Sequence, residues 1–202
     1  MRFAVTPGVG HKTGFFADQR DARQRVRALA QGRTVLDLFC HAGGFALAAA
    51  AGAARRVVAV DLDETEVARA KANAARNKTK VDAQHGDAFD VLRDTKPGAF
   101  DLVVLDPPKW ADGRSEVEAA MRRYQDLNRL GLERVASGGI VVTCSCSGAV
   151  TEGAFLAALR DAAAQARRDA RLLWIGGAGP DHPIALECQQ TRYLKVVVLQ
   201  VR

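Results

Sequence analysis

Along this chain, short apolar runs rich in valine and leucine alternate with longer stretches of helical spacing. The runs predict strands at residues 35–39, 57–60, 81–85, 100–105, 140–143, 172–175 and 193–201. Helices are predicted from Phe45, at 64–76, around Phe89 and Leu92, at 116–135, and from Thr151 to about 168. Strands that alternate with helices imply an α/β fold, with a mostly parallel sheet covered on both faces. Ahead of it, residues 2–5 and 13–17 flank Pro7-Gly8-Val9-Gly10 and predict a short β-hairpin. Asp18 is expected to cap a helix running to about Ala30. This divides the chain into a hairpin and helix at 1–31, packed on a core at 32–202.

The stretch VLDLFCHAGGF, residues 35–45, organises the rest. An apolar strand interrupted by Asp37 runs into Gly43-Gly44 and then into an alanine-rich helix. A strand that turns on glycine into a helix is the nucleotide-binding unit of α/β proteins. The dinucleotide spacing G-x-G-x-x-G is absent, because His41 and Ala46 stand where glycines would be needed. Glycine lets a ligand lie against bare backbone, although a tight turn without a ligand uses the same residues.

The strand ends carry the chemistry. Asp37, Asp61, Asp87, Asp106 and Cys146 lie at or just past the carboxyl ends of successive strands. In an open parallel sheet those ends face one crevice, where ligands bind. One acid there is easily a helix cap; four acids and a thiol in register are harder to explain so. Asp61 lies about 20 residues past the turn, where an acid accepts from ribose hydroxyls, and Asp87 is placed for an adenine amino group. No lysine or arginine follows Gly43-Gly44, so no phosphate is provided for. An adenosine-type ligand without pyrophosphate is implied, and S-adenosylmethionine (SAM) meets that description.

Composition adds little. The net charge of +6 suits a nucleic-acid partner. Arg20, Arg23, Arg25 and Arg27 could line an RNA path, or simply be the solvated face of their helix. No apolar run spans a membrane and no signal-peptide pattern opens the chain. Cys40, Cys144, Cys146 and Cys188 have neither zinc-site spacing nor the density of a disulfide scaffold. A reducing, cytoplasmic location is expected, with no metal.

The set KTGFFADQR, VLDLFCHAGGF, VDLDETEVARAKANAARN, FDLVVLDPPKW, YQDLN, SGGIVVTCSCS and RYLK resembles the catalytic domain of the RlmI-type methyltransferases, which form 5-methylcytosine in large-subunit ribosomal RNA. The resemblance runs from about Phe3 to Val201, without the family's N-terminal PUA domain. It implies a Rossmann-like class I SAM-dependent methyltransferase, with a seven-stranded sheet whose last strand is antiparallel. It further implies a cofactor site of Phe16, Gln19, Arg20, Asp37, Phe39, Gly43, Gly44, Phe45, Asp61, Leu62, Asp87, Ala88 and Asp106. On the substrate side it implies Pro107, Pro108, Lys109, Tyr124 and Asn128, facing ribosomal RNA. His41-Ala42 and Gln189-Gln190 depart from the family pattern.

Carbon 5 of cytosine is a poor nucleophile. A cysteine thiolate that adds to carbon 6 makes carbon 5 enamine-like, which is covalent catalysis. Asp106 would hold the base edge. Cys144 and Cys146 point to the same face of an extended strand. Cys146 lies nearer the crevice and in the family's Ser-Cys-Ser, so it is the expected nucleophile, with Cys144 as an assisting thiol. The alternatives are transfer to another base such as guanine, or a cofactor- and RNA-binding module without turnover. Lys109, in the place where an aromatic stacks on the base in amino-group methyltransferases, argues against that chemistry.

Overall fold

The computed structural model describes residues 1–5 and 14–202. Seven strands form one sheet: β1 (Thr34–Leu38), β2 (Arg56–Asp61), β3 (Asp82–His85), β4 (Phe100–Leu105), β5 (Val135–Ser145), β6 (Ala170–Gly176) and β7 (Lys195–Val201). Their order is β3-β2-β1-β4-β5-β7-β6. β7 enters antiparallel between β5 and β6, and the other neighbouring pairs are parallel. The helices are α1 (Arg20–Leu29), α2 (Gly44–Ala51), α3 (Glu64–Arg76), α4 (Ala88–Asp94), α5 (Val117–Arg134) and α6 (Glu152–Gln165). The expected mostly parallel α/β sheet with an antiparallel last strand is therefore present.

Side-chain alternation along the strands makes two cores. Leu36, Leu38, Val103 and Leu105 pack with α5 and α6 on one face. Val35, Leu102 and Val104 pack with α1, α2 and α3 on the other. Asp37 shares the parity of Val35, so it faces α2, where its Oδ2 accepts from Ala46 N at 2.8 Å. Helices α3, α4 and α6 are capped locally: Asp63 accepts from Thr65 N, Asp87 from Phe89 N, and Thr151 from Ala154 N. For α2 the N-cap is Gly43, which has no side chain to offer, and Asp37 supplies the acceptor from the strand. Among the described residues, no helix is long and apolar enough to cross a membrane.

Two expectations at the N-terminus need correction. Arg2–Val5 is not a strand: its backbone is tied to α3, with Arg2 N donating to Asn77 Oδ1 and Ala4 N to Asn73 Oδ1. Residues 14–17 are not a strand either; they bend into a short 3-10 turn, Ala17–Gln19. The turn at Pro7-Gly8-Val9-Gly10 and Thr13 lie outside the described residues. Nor does Asp18 cap α1. It is buried and accepts from the Tyr193 hydroxyl, because the 3-10 turn carries it inward under the segment that leads to β7.

Candidate functional site

The parallel registers level the strand ends. Leu38 pairs with Val60 and Leu105, Asp61 with His85, and Leu105 with Thr143. The loops that follow therefore open on one crevice. The loop after β1 is wound through left-handed positions at Phe39 (φ 62°), His41 (φ 47°) and Gly43 (φ 84°). Two of these carry side chains, and such positions persist only when their surroundings hold them. Here Asp61 Oδ2 accepts from His41 N at 2.8 Å, and the buried Asn73 donates to Ala42 O. Asp61 Oδ1 also accepts from Asp63 N. The acid expected to receive ribose hydroxyls thus also locks two loops together.

The glycine pair has a different reason from the one expected. A Cβ on Gly43 would lie 2.8 Å from Leu47 Cδ1 and 3.2 Å from Ala70 Cβ. A Cβ on Gly44 would lie 2.6 Å from Arg23 Nε. Both vacant positions face protein, so packing of α2 on α3 and on Arg23 requires the glycines.

Arg23, expected only on an RNA path or a solvated helix face and not at the cofactor, enters the crevice. It sits on α1 in the buried stripe Ala22, Val26 and Ala30, and is 8% exposed. Its guanidinium lies 4.5 Å from the Phe15 ring centroid and 5.8 Å from that of Phe45. Burial lowers its pKa, opposed by Asp106, Asp37 and Asp18 in that order. Burial also pushes the Asp37 carboxyl well above the ordinary range, against the Ala46 N–H bond that favours its charge. Arg23 Nε and Asp37 Oδ1 are buried without a hydrogen-bond partner among the described residues. Arg20, by contrast, points outward and pairs with Asp181 at 3.2 Å. The helical turn, not the motif, decides which arginine is inside: Gln19 and Arg23 are four apart on one face.

Gln19 is buried and donates from Nε2 to Asp106 Oδ1 at 2.9 Å. Phe16 meets His41 edge-on at 4.9 Å between centroids. Phe45 and Ala88 are buried, while Leu62 is 65% exposed beside Asp61. Asp87 uses Oδ1 to cap α4, accepting from Phe89 N and Asp90 N. Phe39 packs against Trp110 and does not stand free.

The two thiols differ. Cys144 is fully buried, and burial and then Asp106 push its thiol well above the ordinary range. Cys146 is half-buried one residue past β5, with Sγ 4.0 Å from Pro107 O. Cys40 is buried, and burial raises its thiol pKa as well.

On the expected substrate side, Pro107 is buried and Pro108 and Lys109 are exposed, Lys109 pairing with Asp112. Tyr124 and Asn128 are not surface groups. Both are fully buried, with Asn128 Nδ2 donating to Tyr124 O. Their shared helix face turns into the core, where the Tyr124 ring packs on Trp110 and Phe155. The Tyr124 hydroxyl meets Ser147 Oγ at 3.1 Å, and that same oxygen accepts from Trp110 N and Ala111 N. Ser147 thus ties the Pro-Pro loop to the end of β5. Lys195, the first residue of β7, is 2% exposed and donates to Ser147 O. Neither role was legible beforehand, although a lysine opening an otherwise apolar strand was a signal.

A family model described as S-adenosylmethionine-dependent methyltransferase matches residues 1–172. The chain belongs to this family. Ribosomal RNA large subunit methyltransferase I of Aeromonas hydrophila is 39% identical over 198 residues, which is 96% of this chain and 50% of that protein. The protein of the same name from Tolumonas auensis is 40% identical over 205 residues, 99% of this chain and 52% of that one. The chain thus spans about half the length of the curated relatives it matches. A protein classed as a methyltransferase and solved in complex with SAH superposes with a TM-score of 0.81 at 26% identity. That match covers 95% of this chain and 51% of the other. The crevice fits the family's cofactor: it offers acceptor carboxylates at Asp61 and Asp87, an exposed apolar side chain at Leu62, and two buried polar atoms still to be satisfied.

Proposed function

We propose that this chain is the catalytic core of an enzyme that forms 5-methylcytosine in large-subunit ribosomal RNA. The observation that carries the proposal is Cys146, a half-buried thiol at the carboxyl end of β5, beside the loop that begins with Asp106. Asp61 would take the ribose hydroxyls of SAM, Leu62, Asp87 and Ala88 would border its adenine, and Gln19 and Arg23 would hold its amino-acid end. When bound, SAM supplies an electrophilic methyl group.

The thiolate of Cys146 adds to carbon 6 of an unpaired or flipped cytosine. The carbon 5–carbon 6 π pair would shift to carbon 5 and bond the methyl group as the methyl–sulfonium bond breaks, its electron pair staying on sulfur so that SAH is the leaving group. Asp106, held by Gln19, hydrogen-bonds the base edge as charge shifts within the ring. Loss of the carbon 5 proton to a base re-forms the double bond, and the sulfur–carbon 6 bond breaks to release the thiolate. Cys144 stays a neutral thiol against Asp106, suited to donating a hydrogen bond and not to attack. The net charge of +6 favours RNA through phosphate contacts. The four cysteines are unbridged, as in a reducing compartment such as the cytoplasm.

The test is transfer of labelled methyl groups to unmodified ribosomal RNA, followed by nucleoside analysis. Label in 5-methylcytidine is expected, along with a covalent band on RNA containing 5-fluorocytosine that Cys146→Ala abolishes. Label confined to another nucleoside, or a band that survives this substitution, would overturn the proposal.

A further inference from the structure

We infer that Lys195 is the positioning residue that balances the charge of the Cys146 thiolate, a reading that rests on Cys146 being the nucleophile. In the antiparallel ladder Lys195 pairs with Ser145, the last residue of β5. Its ammonium then reaches along the chain that follows, donating to Ser147 O at 2.6 Å and to Tyr193 O at 2.9 Å. Cys146 lies between the paired residue and the bonded carbonyl. The lysine is therefore anchored from both sides on the segment that carries the thiol.

The energetics point the same way. Lysine is almost never fully buried unless paired. Lys195 is 2% exposed, and among the described residues no ion pair joins it to a carboxylate. Two neutral carbonyls compensate its charge only in part. The first opposite charge to act on it is that of an ionised Cys146, and Glu152 of α6 is second. Burial lowers the Lys195 pKa to about 8, so at neutral pH it is mostly charged but short of a counter-ion. When the thiol proton leaves to solvent, the thiolate and the ammonium complete a buried pair.

Among the described residues, the other titratable groups that act on this pair include Tyr193 before β7, Tyr124 on α5, Cys144 on β5, and Lys109 after β4. Both tyrosines have raised pKa values and remain neutral, and Cys144 remains a neutral thiol. Lys109 is the competing cation. It is exposed and already paired with Asp112 at 2.5 Å, so solvent screens its effect.

The experiment is the pH dependence of Cys146 alkylation by iodoacetamide, mapped by mass spectrometry on the folded chain without RNA or SAM. Lys195→Met should raise the midpoint by about one unit or more, the usual effect of removing an adjacent opposite charge. At a pH below both midpoints this is about a tenfold slower reaction. Lys195→Arg should recover most of the shift, and Lys109→Met should move the midpoint little. A loss of packing that admitted water would lower the midpoint and not raise it. As a second measurement, NMR titration of Lys195 in Cys146→Ser, a change at a half-buried position, should show a lower lysine pKa than in wild type. An unchanged Cys146 midpoint in Lys195→Met, or an unchanged Lys195 titration in Cys146→Ser, overturns the inference. Either result could stand beside normal formation of 5-methylcytosine, so it would not touch the proposed function. Coupled titration without methyl transfer would instead defeat the function and leave the pair.

Discussion

Gly44→Ala tests whether the glycine turn exists to admit Arg23. The new Cβ would lie 2.6 Å from Arg23 Nε and 2.8 Å from both Cζ and Nη2. Comfortable contact needs roughly 3.5 Å, so the guanidinium must retreat by about 1 Å. It lies against the Phe15 ring and in the field of Asp106 and Asp37, so its displacement disturbs both. Overpacking of this kind costs about 1–3 kcal/mol. Replacing a helical glycine by alanine returns up to about 1 kcal/mol. We expect a net loss of up to about 2 kcal/mol in urea unfolding, and weaker binding of SAH by calorimetry. In an Arg23→Ala background the obstacle is gone, and the same substitution should be neutral or stabilising by up to about 1 kcal/mol. The coupling energy of this cycle should therefore be about 1–3 kcal/mol. Effects that add to within about 0.5 kcal/mol would refute the reasoning, because residues that do not meet behave so.

Two further outcomes follow from buried polar groups. Asp37 has a folded pKa raised by burial, so the folded state holds an extra proton from about pH 4 up to that raised value. Wild-type stability should fall as pH climbs through this window; Asp37→Asn, whose amide oxygen can still accept from Ala46 N, should flatten the fall and be the more stable at neutral pH in urea titrations while binding SAH less well. Ser147→Ala removes the acceptor shared by Trp110 N and Ala111 N, each costing about 1–3 kcal/mol when left buried and unpaired. Hydrogen exchange should show both amides losing protection while Val103 in β4 keeps its own.

Much of the fold was legible because it is written in local periodicity. Helix α3 and strand β4 fall on the residues that spacing predicts, since caps and apolar alternation act over a few residues. The N-terminus departs from the local pattern because its backbone donors go to Asn73 of α3 and to Asn77, the C-cap of that helix, about 70 residues away in sequence. Composition cannot announce such partners. The resemblance to a family pointed to the arginine of KTGFFADQR, and the structure turns that arginine out to Asp181. The helical stripe of Ala22, Arg23 and Val26 would have singled out the inner one.

By itself the sequence determined the order of strands and helices, the acids and the thiol at the strand ends, and the class of ligand they suit. These follow from residues next to one another in the chain, where the periods of two and 3.6 and the chemistry of turns apply. Only the tertiary structure decided which of those groups share an environment. Asp61 proved to lock two loops together, and Tyr124 and Asn128 turned inward. Cys144 was sealed against Asp106 while Cys146 stayed within reach of the crevice. Lys195 came to rest on the carbonyl of Ser147, 48 residues away, because β7 runs antiparallel to β5. Charge, burial and hydrogen bonding act through space, and their balance at each group exists only once the sheet has brought distant segments together.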